Sequence, residues 1–253
     1  MKRLQTPLVV AGLFVVWQLA VDLLKVPEFI LPSPLVAIEH LVFPQRDANY
    51  NWLTHIQVTV YEILLSFLVT GAVGIALAVA ISWSEAIRRI SMPAFIFINS
   101  LPIIALAPIL LLWFGYGLAT NILIAFLIAF FPVVINATTG LAEIDEDLLD
   151  LVHYLHGSKL QVFFKLRLPN SLPYIFTGLK ICSTMCVVGA IVGEFIASDR
   201  GLGYIIISAQ YTVDMPPIFA SLMLVSLFGV ILFGLVTLAE RLAMPWRRAG
   251  ESA

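Results

Sequence analysis

Ionisable and polar residues inside apolar sequence are the first candidates for chemistry. A charge held away from water is costly, so it persists only with a partner or a function. Glu194 follows Val192-Gly193 in one such stretch, and Lys180 lies near the other end of that stretch. The carboxylate suits either the lining of a polar path or a place near the outer interface within reach of water. The lysine suits an ammonium extended to headgroups at the opposite interface. Glu62 stands near the outer end of another apolar run, where it is expected to reach water. Asn99 and Ser100 precede Leu101-Pro102, and Ser183 and Thr184 share a stretch with Glu194. All four suit a path. Asn99 and Ser100 equally suit the satisfaction of backbone groups that a proline frees. His153 and His156 lie three apart near several carboxylates, a spacing that permits metal ligation. A solvated loop histidine is the plainer reading, and no metal site is assigned. Cys182 and Cys186, four apart in an apolar stretch, read as packing residues.

Catalytic signatures are absent. The sequence has no His-Glu-x-x-His, no Gly-x-Ser-x-Gly and no pair of intramembrane aspartates. No catalytic residue is therefore assigned, and an intramembrane enzyme is disfavoured. Nor is there a Gly-x4-Gly-Lys-Ser/Thr loop, so the chain is not expected to hydrolyse ATP itself.

The elements that would position these residues follow from hydropathy. Of the 253 residues, 60% are hydrophobic and 12% charged, against about 25% charged in a soluble domain. One packed core of this size cannot hide that much apolar surface, whereas lipid can solvate it. The net charge of −2 gives no reason to expect nucleic acid as a partner. A bilayer core of about 30 Å takes about 20 helical residues per crossing. Six such segments are expected: Pro7–Leu24, Ile56–Trp83, Ala94–Phe114, Leu118–Leu141, Tyr174–Ala197 and Ile218–Ala239. The fold class is thus all-α, a polytopic membrane protein with six transmembrane helices. The first segment follows Lys2 and Arg3 and leads into Asp22-Leu23-Leu24-Lys25 with no small-residue cleavage site, so it is read as a retained span.

Residues 90–142 contain no Asp, Glu, Lys, Arg or His, which is too long for one crossing and right for two. Phe114-Gly115-Tyr116-Gly117 supplies the turn between them. Gly71, Gly74, Ala78 and Ala80 offer a small face for close helix packing, within the chain or against a second copy. Orientation follows from basic residues. Lys2, Arg3, Arg88, Arg89, Lys159, Lys165, Arg167, Arg241, Arg247 and Arg248 fall on one side, and Lys25, Arg46 and Arg200 on the other. The first side is expected to be cytoplasmic, with both termini there. Residues 1–53 would then be a transmembrane helix plus an outer amphipathic stretch, Leu35 to Phe43. Residues 54–240 would form the main membrane domain, and 241–253 a cytoplasmic tail.

The loop at 142–169 is the one sizeable cytoplasmic feature. Its acidic start, Asp145 to Asp150, suits a helix N-terminus. Leu148, Leu149, Leu151, Val152 and Leu155 form an apolar face at helical spacing, and Gly157-Ser158 ends it. A linker between two spans needs no such face; a docking helix does.

Here the sequence resembles a known family. Asp150 to Pro169, DLVHYLHGSKLQVFFKLRLP, is similar to the loop signature of binding-protein-dependent ABC importer permeases: Glu-Ala-Ala, three residues, Gly, nine residues, Ile-x-Leu-Pro. Asp150 takes the Glu place, Leu151 and Val152 the Ala places, His156 the Gly place and Leu166 the Ile place, while Leu168-Pro169 match outright. Leu and Val are bulkier than Ala, and the glycine is displaced to Gly157. Six further stretches resemble the branch that imports nitrate, sulfonates, taurine, pyrimidine-type thiamine precursors or riboflavin: Leu31-Pro32-Ser33-Pro34, Leu101-Pro102 with Ala107-Pro108, Leu112 to Gly117, Leu172 to Lys180, Gly193-Glu194 and Gly201-Leu202-Gly203-Tyr204.

The resemblance implies a type I ABC importer permease fold in the bacterial inner membrane. It implies two ATPase subunits, a second permease chain (a homodimer in this branch) and a periplasmic or lipid-anchored solute-binding protein. The permease binds no cofactor, and ATP and Mg are used by the partner ATPase. Asp150, Leu151, Val152, Leu155, His156, Gly157, Ser158, Leu168 and Pro169 would couple to that ATPase. Asn99, Ser100, Ser183, Thr184 and Glu194 are the pathway candidates. A stand-alone channel or secondary transporter is the competing reading. Segments three and four hold no ionisable residue for ion coupling, which argues against the secondary transporter.

Overall fold

The computed structural model describes residues 2–42 and 50–245, with every side chain among them except those of residues 2–7, 85, 146 and 153. Phe43, Arg46, Arg247 and Arg248, and the side chains of Lys2, Arg3 and His153, lie outside the described residues.

All regular structure among the described residues is helical. The order is α1 (Lys2–Leu24), α2 (Pro34–Val42), α3 (Trp52–Ser82), α4 (Glu85–Asn99), α5 (Ile103–Phe114), α6 (Leu118–Ala142), α7 (Glu146–Tyr154), α8 (Lys159–Val162), a π turn (Phe163–Arg167), α9 (Leu168–Ala197), α10 (Leu202–Thr212) and α11 (Met215–Ala243). Four stretches are long and apolar enough to cross a membrane: α3, α6, α11 and the continuous run from α8 through α9. The bent pair α4–α5, counted as one span, makes five, and the shorter apolar stretch Leu8–Leu24 of α1 stands where the first of the six expected crossings was read.

That pair differs from the expectation. A single span was read over Ala94–Phe114, but the chain breaks between α4 and α5 and turns through 87°. Pro102 causes the break. It has no N–H to continue the helix and disfavours helical geometry at Leu101. Backbone groups left over are met locally: Ser100 N–H donates to Ile96 and Phe97, and Pro102 O accepts from Ala105 N–H at 2.8 Å. The glycine turn after α5 is present, with φ of 77° at Gly115 and 122° at Gly117.

The core is built on α6 and α9, which lie side by side with α3 and α11 against them. A Cβ on Gly189 would stand 2.5 Å from Ala125 Cα, so only glycine allows the helices this close. Ala129 and Val133 meet Cys182 and Cys186, both fully buried free thiols. The small face of α3 turns inward: Gly74 faces Val133, Gly71 faces Leu179 and Ala78 joins Ala137, Leu141 and Ile175. Ala80 is off that face and exposed. At the opposite end α2 is seated by Ala37 against Trp52, Leu202, Ile205 and Ala220, and α1 reaches α11 through Trp17 and Phe219, ring centroids 5.5 Å apart. The α10 helix was not expected from the sequence.

Candidate functional site

Two places gather the residues singled out by sequence. The first is the helix pair at one end of the bundle. Leu148, Leu151 and Leu155 project from α7 and its last turn, 45%, 53% and 67% exposed, at helical spacing. Tyr154 is exposed beside them. Leu149 turns the other way, towards Val162 and Phe163.

The helix ends at His156, not at the glycine. His156 takes φ 55°, and Gly157 N–H donates to Val152 O at 2.9 Å. This is the left-handed helix end with a bond reaching back five residues. Gly157 follows it for packing: a Cβ there would come within 2.3 Å of Val152 Cγ1. Ser158 then caps α8, exchanging bonds with Gln161: Ser158 N–H donates to Gln161 Oε1 at 2.8 Å, and Gln161 N–H to Ser158 Oγ at 3.3 Å.

The exit of this pair is anchored. Arg167 Nη1 donates to Ser82 O at 3.2 Å, on the carbonyl-rich end of α3. Trp83 and Phe163 rings meet at 5.7 Å, and Asn170 Nδ2 donates to Glu143 O at the end of α6. Leu168 is half-buried in the core beneath, while Asp150, Ser158 and Pro169 are exposed. The π turn places its wide bond, Leu168 N–H to Phe163 O, just before Pro169, which lacks an N–H.

The second place is the far end of α9. Glu194 is 1% exposed and neither lines an open path nor reaches water. Thr59 Oγ1 donates to Glu194 Oε1 at 2.5 Å, and Gly203 N–H donates to its Oε2 at 2.5 Å. Leu202 N–H in turn donates to Thr59 Oγ1 at 2.8 Å. Glu194 therefore ties α9, α3 and α10 together. Gly201, at φ 107°, must lack a Cβ, which would overlap the Glu194 carboxylate.

Glu62, expected to reach water, is also 1% exposed, and Asn121 Nδ2 donates to its Oε1 at 2.8 Å. Position along the helix places Glu62 near its end, but the helix face it occupies turns it into the bundle. Thr59, Glu62, Ser66 and Thr70 recur at helical spacing and are all buried. That polar stripe in an apolar span was the signal of an interior face. Lys180 is likewise not free at headgroups: it pairs with Glu240 of α11.

Among the remaining pathway candidates, Asn99 and Ser100 are exposed at the α4–α5 break, and Ser100 Oγ donates to Ile96 O at 2.9 Å. Thr184 is exposed on α9 in line with Thr177, Ile181 and Val188. Ser183 is buried and donates to Lys180 O at 2.7 Å.

Comparison with known proteins gives a consistent match. The family described as binding-protein-dependent transport system inner membrane component matches residues 71–243. The formylaminopyrimidine transport permease protein ThiX of Halalkalibacterium halodurans is 31% identical over 248 residues, covering 98% of this chain and 97% of the relative. A probable ABC transporter permease protein of Haemophilus influenzae is 35% identical over 232 residues, covering 91% and 93%. A solved chain of the MetNI methionine ABC transporter is similar in fold, with a TM-score of 0.55 at 20% identity over 70% of this chain and 93% of that one.

Proposed function

Because the chain belongs to the family of binding-protein-dependent transport system inner membrane components, we propose that it is the permease of an ATP-driven importer that receives its stroke through α7. The chain is a multi-pass inner-membrane permease subunit of an ABC importer and not an enzyme. The observation that carries the proposed coupling role is the exposed stripe of Leu148, Leu151 and Leu155 on a short helix whose exit is anchored at Arg167 and Asn170. An apolar stripe facing water is costly unless a partner covers it. A helix tied to α3, α6 and α9 can transmit a partner's displacement as a rigid body.

In this reading the α7 end faces the cytoplasm, as do both termini, and each of two permease copies docks one ATPase subunit. ATP and Mg stay on those subunits. Asn99, Ser100 and the exposed line of α9 through Thr184 face the central path or the second permease chain. A periplasmic or lipid-anchored binding protein delivers the solute to the α10 end. The solute is a small polar molecule, with formylaminopyrimidines the first class to test, since the halodurans relative carries that assignment.

A cysteine at Leu151 tests this directly. Co-expressed with the ATPase and treated with a short bifunctional reagent, it is expected to cross-link to the ATPase, and a cysteine at Tyr211 on α10 is not. Absence of the first cross-link, or labelling of Leu151 from outside intact cells, refutes the reading.

A further inference from the structure

One cavity at the α7 end of the bundle is lined by two cations and lies apart from the docking stripe. It has a volume of about 230 Å³ and sits between the end of α3 and the α8 segment. Leu149 lines it from the side of α7 away from the exposed leucines. Lys159 and Arg167 both line it as well. Arg167 Nη1 donates to Ser82 O at 3.2 Å, and a guanidinium has further N–H donors in a fork that matches phosphate. Lys159 is exposed. Among the described residues no carboxylate pairs with either cation. Ser82 lines the same cavity at 8% exposure, and its Oγ has no hydrogen-bond partner. The remaining walls are apolar: Trp83 and Phe163, ring centroids 5.7 Å apart, with Val162. Two positive groups, an unused hydroxyl and an apolar wall in one cavity suit an anion that carries a hydrocarbon part.

The depth of the cavity narrows the choice of anion. The 31 residues of α3 make about 46 Å of helix at about 1.5 Å per residue, against a hydrocarbon core of about 30 Å. The end of α3 at Ser82 therefore reaches the headgroup layer. Trp83 is 56% exposed there, at the level where tryptophans gather in membrane proteins. Arg167 directly precedes α9, the neighbouring span. A volume of about 230 Å³ is below the roughly 300 Å³ at which pockets for drug-sized ligands begin, and it suits a single headgroup. Basic pockets between spans at this depth take anionic lipid headgroups.

We propose that this cavity binds the headgroup phosphate of an anionic phospholipid. Lys159 and Arg167 hold the phosphate, with the Ser82 hydroxyl beside them as a further donor. Trp83, Phe163 and Val162 cover the carbons next to it. The bound lipid ties the end of α3 to the start of α9, alongside the bond from Arg167 to Ser82 O. This inference needs only that α3 and α9 cross the membrane, and it does not depend on the coupling role of α7.

The test uses the full-length permease, delipidated in detergent. Dioctanoyl phosphatidylglycerol, dioctanoyl phosphatidylcholine and inorganic phosphate are titrated separately, and bound ligand is read by native mass spectrometry. Phosphatidylglycerol is expected to bind saturably, about tenfold tighter than either of the others. Lys159→Gln should weaken it about fivefold, the worth of one basic group beside an anionic headgroup. Lys165→Gln removes a nearby cation of the π turn that does not line this cavity, and should leave binding unchanged. Thermal midpoints check that both variants are folded, and the comparison of the three ligands on the wild type needs no variant. Absence of saturable binding overturns the proposal. So does equal binding of phosphatidylcholine, whose headgroup carries the same phosphate without net charge. Inorganic phosphate binding as tightly as the lipid overturns the lipid source and makes the cavity a free-phosphate site. Equal weakening in Lys159→Gln and Lys165→Gln shows general surface charge and overturns the site too.

Discussion

Gly157 packs directly on Val152, so closely that a Cβ would lie 2.3 Å from Val152 Cγ1. The glycine is displaced by one place from the loop signature, yet the left-handed residue remains at His156. The two jobs of a helix-ending glycine, positive φ and close approach, are here divided between neighbours. Gly157→Ala is expected to push α7 off its turn and abolish uptake with the chain still in the membrane. Adding Val152→Ala should restore part of it. His156→Gly should relieve about 1 kcal/mol of backbone strain and leave uptake intact. Uptake and ATPase stimulation, measured together, check all three.

The exposed stripe of α7 predicts a separation of folding from partnership. Leu151→Asp and Leu155→Asp remove apolar surface that touches no core residue, so the thermal midpoint should stay unchanged within experimental error. Co-purification of the ATPase should be lost. A variant that unfolds, or one that still brings down the ATPase at full yield, contradicts the assignment.

Arg167 holds the exit of the helix pair to the last carbonyls of α3 through Ser82. Arg167→Gln should keep ATPase binding but loosen this link. The expected outcome is ATP hydrolysis that continues while uptake falls several-fold. Equal loss of binding and uptake would mean that Arg167 serves docking instead.

Thr59 both donates to Glu194 and accepts from Leu202 N–H. Thr59→Val keeps the shape and deletes the hydroxyl, leaving a buried carboxylate oxygen and an amide short of a partner. A loss of about 1–3 kcal/mol is expected, read as a lower thermal midpoint, with Thr59→Ser close to wild type.

Lys180 and Glu240 join α9 to α11. Either charge reversal alone should lower the yield of folded protein, and the double swap, Lys180→Glu with Glu240→Lys, should recover it. Detergent-stable yield by size-exclusion chromatography is the readout. Equal yields in all three variants would show that the pair contributes nothing.

What the sequence determined by itself was whatever depends on local hydropathy and local backbone chemistry. Lipid solvates apolar helices and demands internal hydrogen bonding, so unbroken apolar runs such as 90–142 specify crossings wherever they occur. The Gly115–Gly117 turn, the amphipathic α2 and the helix at 146–154 were legible for the same reason: each is written in neighbouring residues. The break at Pro102 was partly visible, but its 87° angle was not, because helix direction is decided by what each half packs against. The tertiary structure alone decided the partners of buried polar groups. Glu194 with Thr59 spans 135 residues of sequence and Glu62 with Asn121 spans 59. Which face of α3 meets α6 and α9 is set by close approach at Gly74 against Val133 and Gly71 against Leu179, and no periodicity within one helix encodes the height at which two helices align.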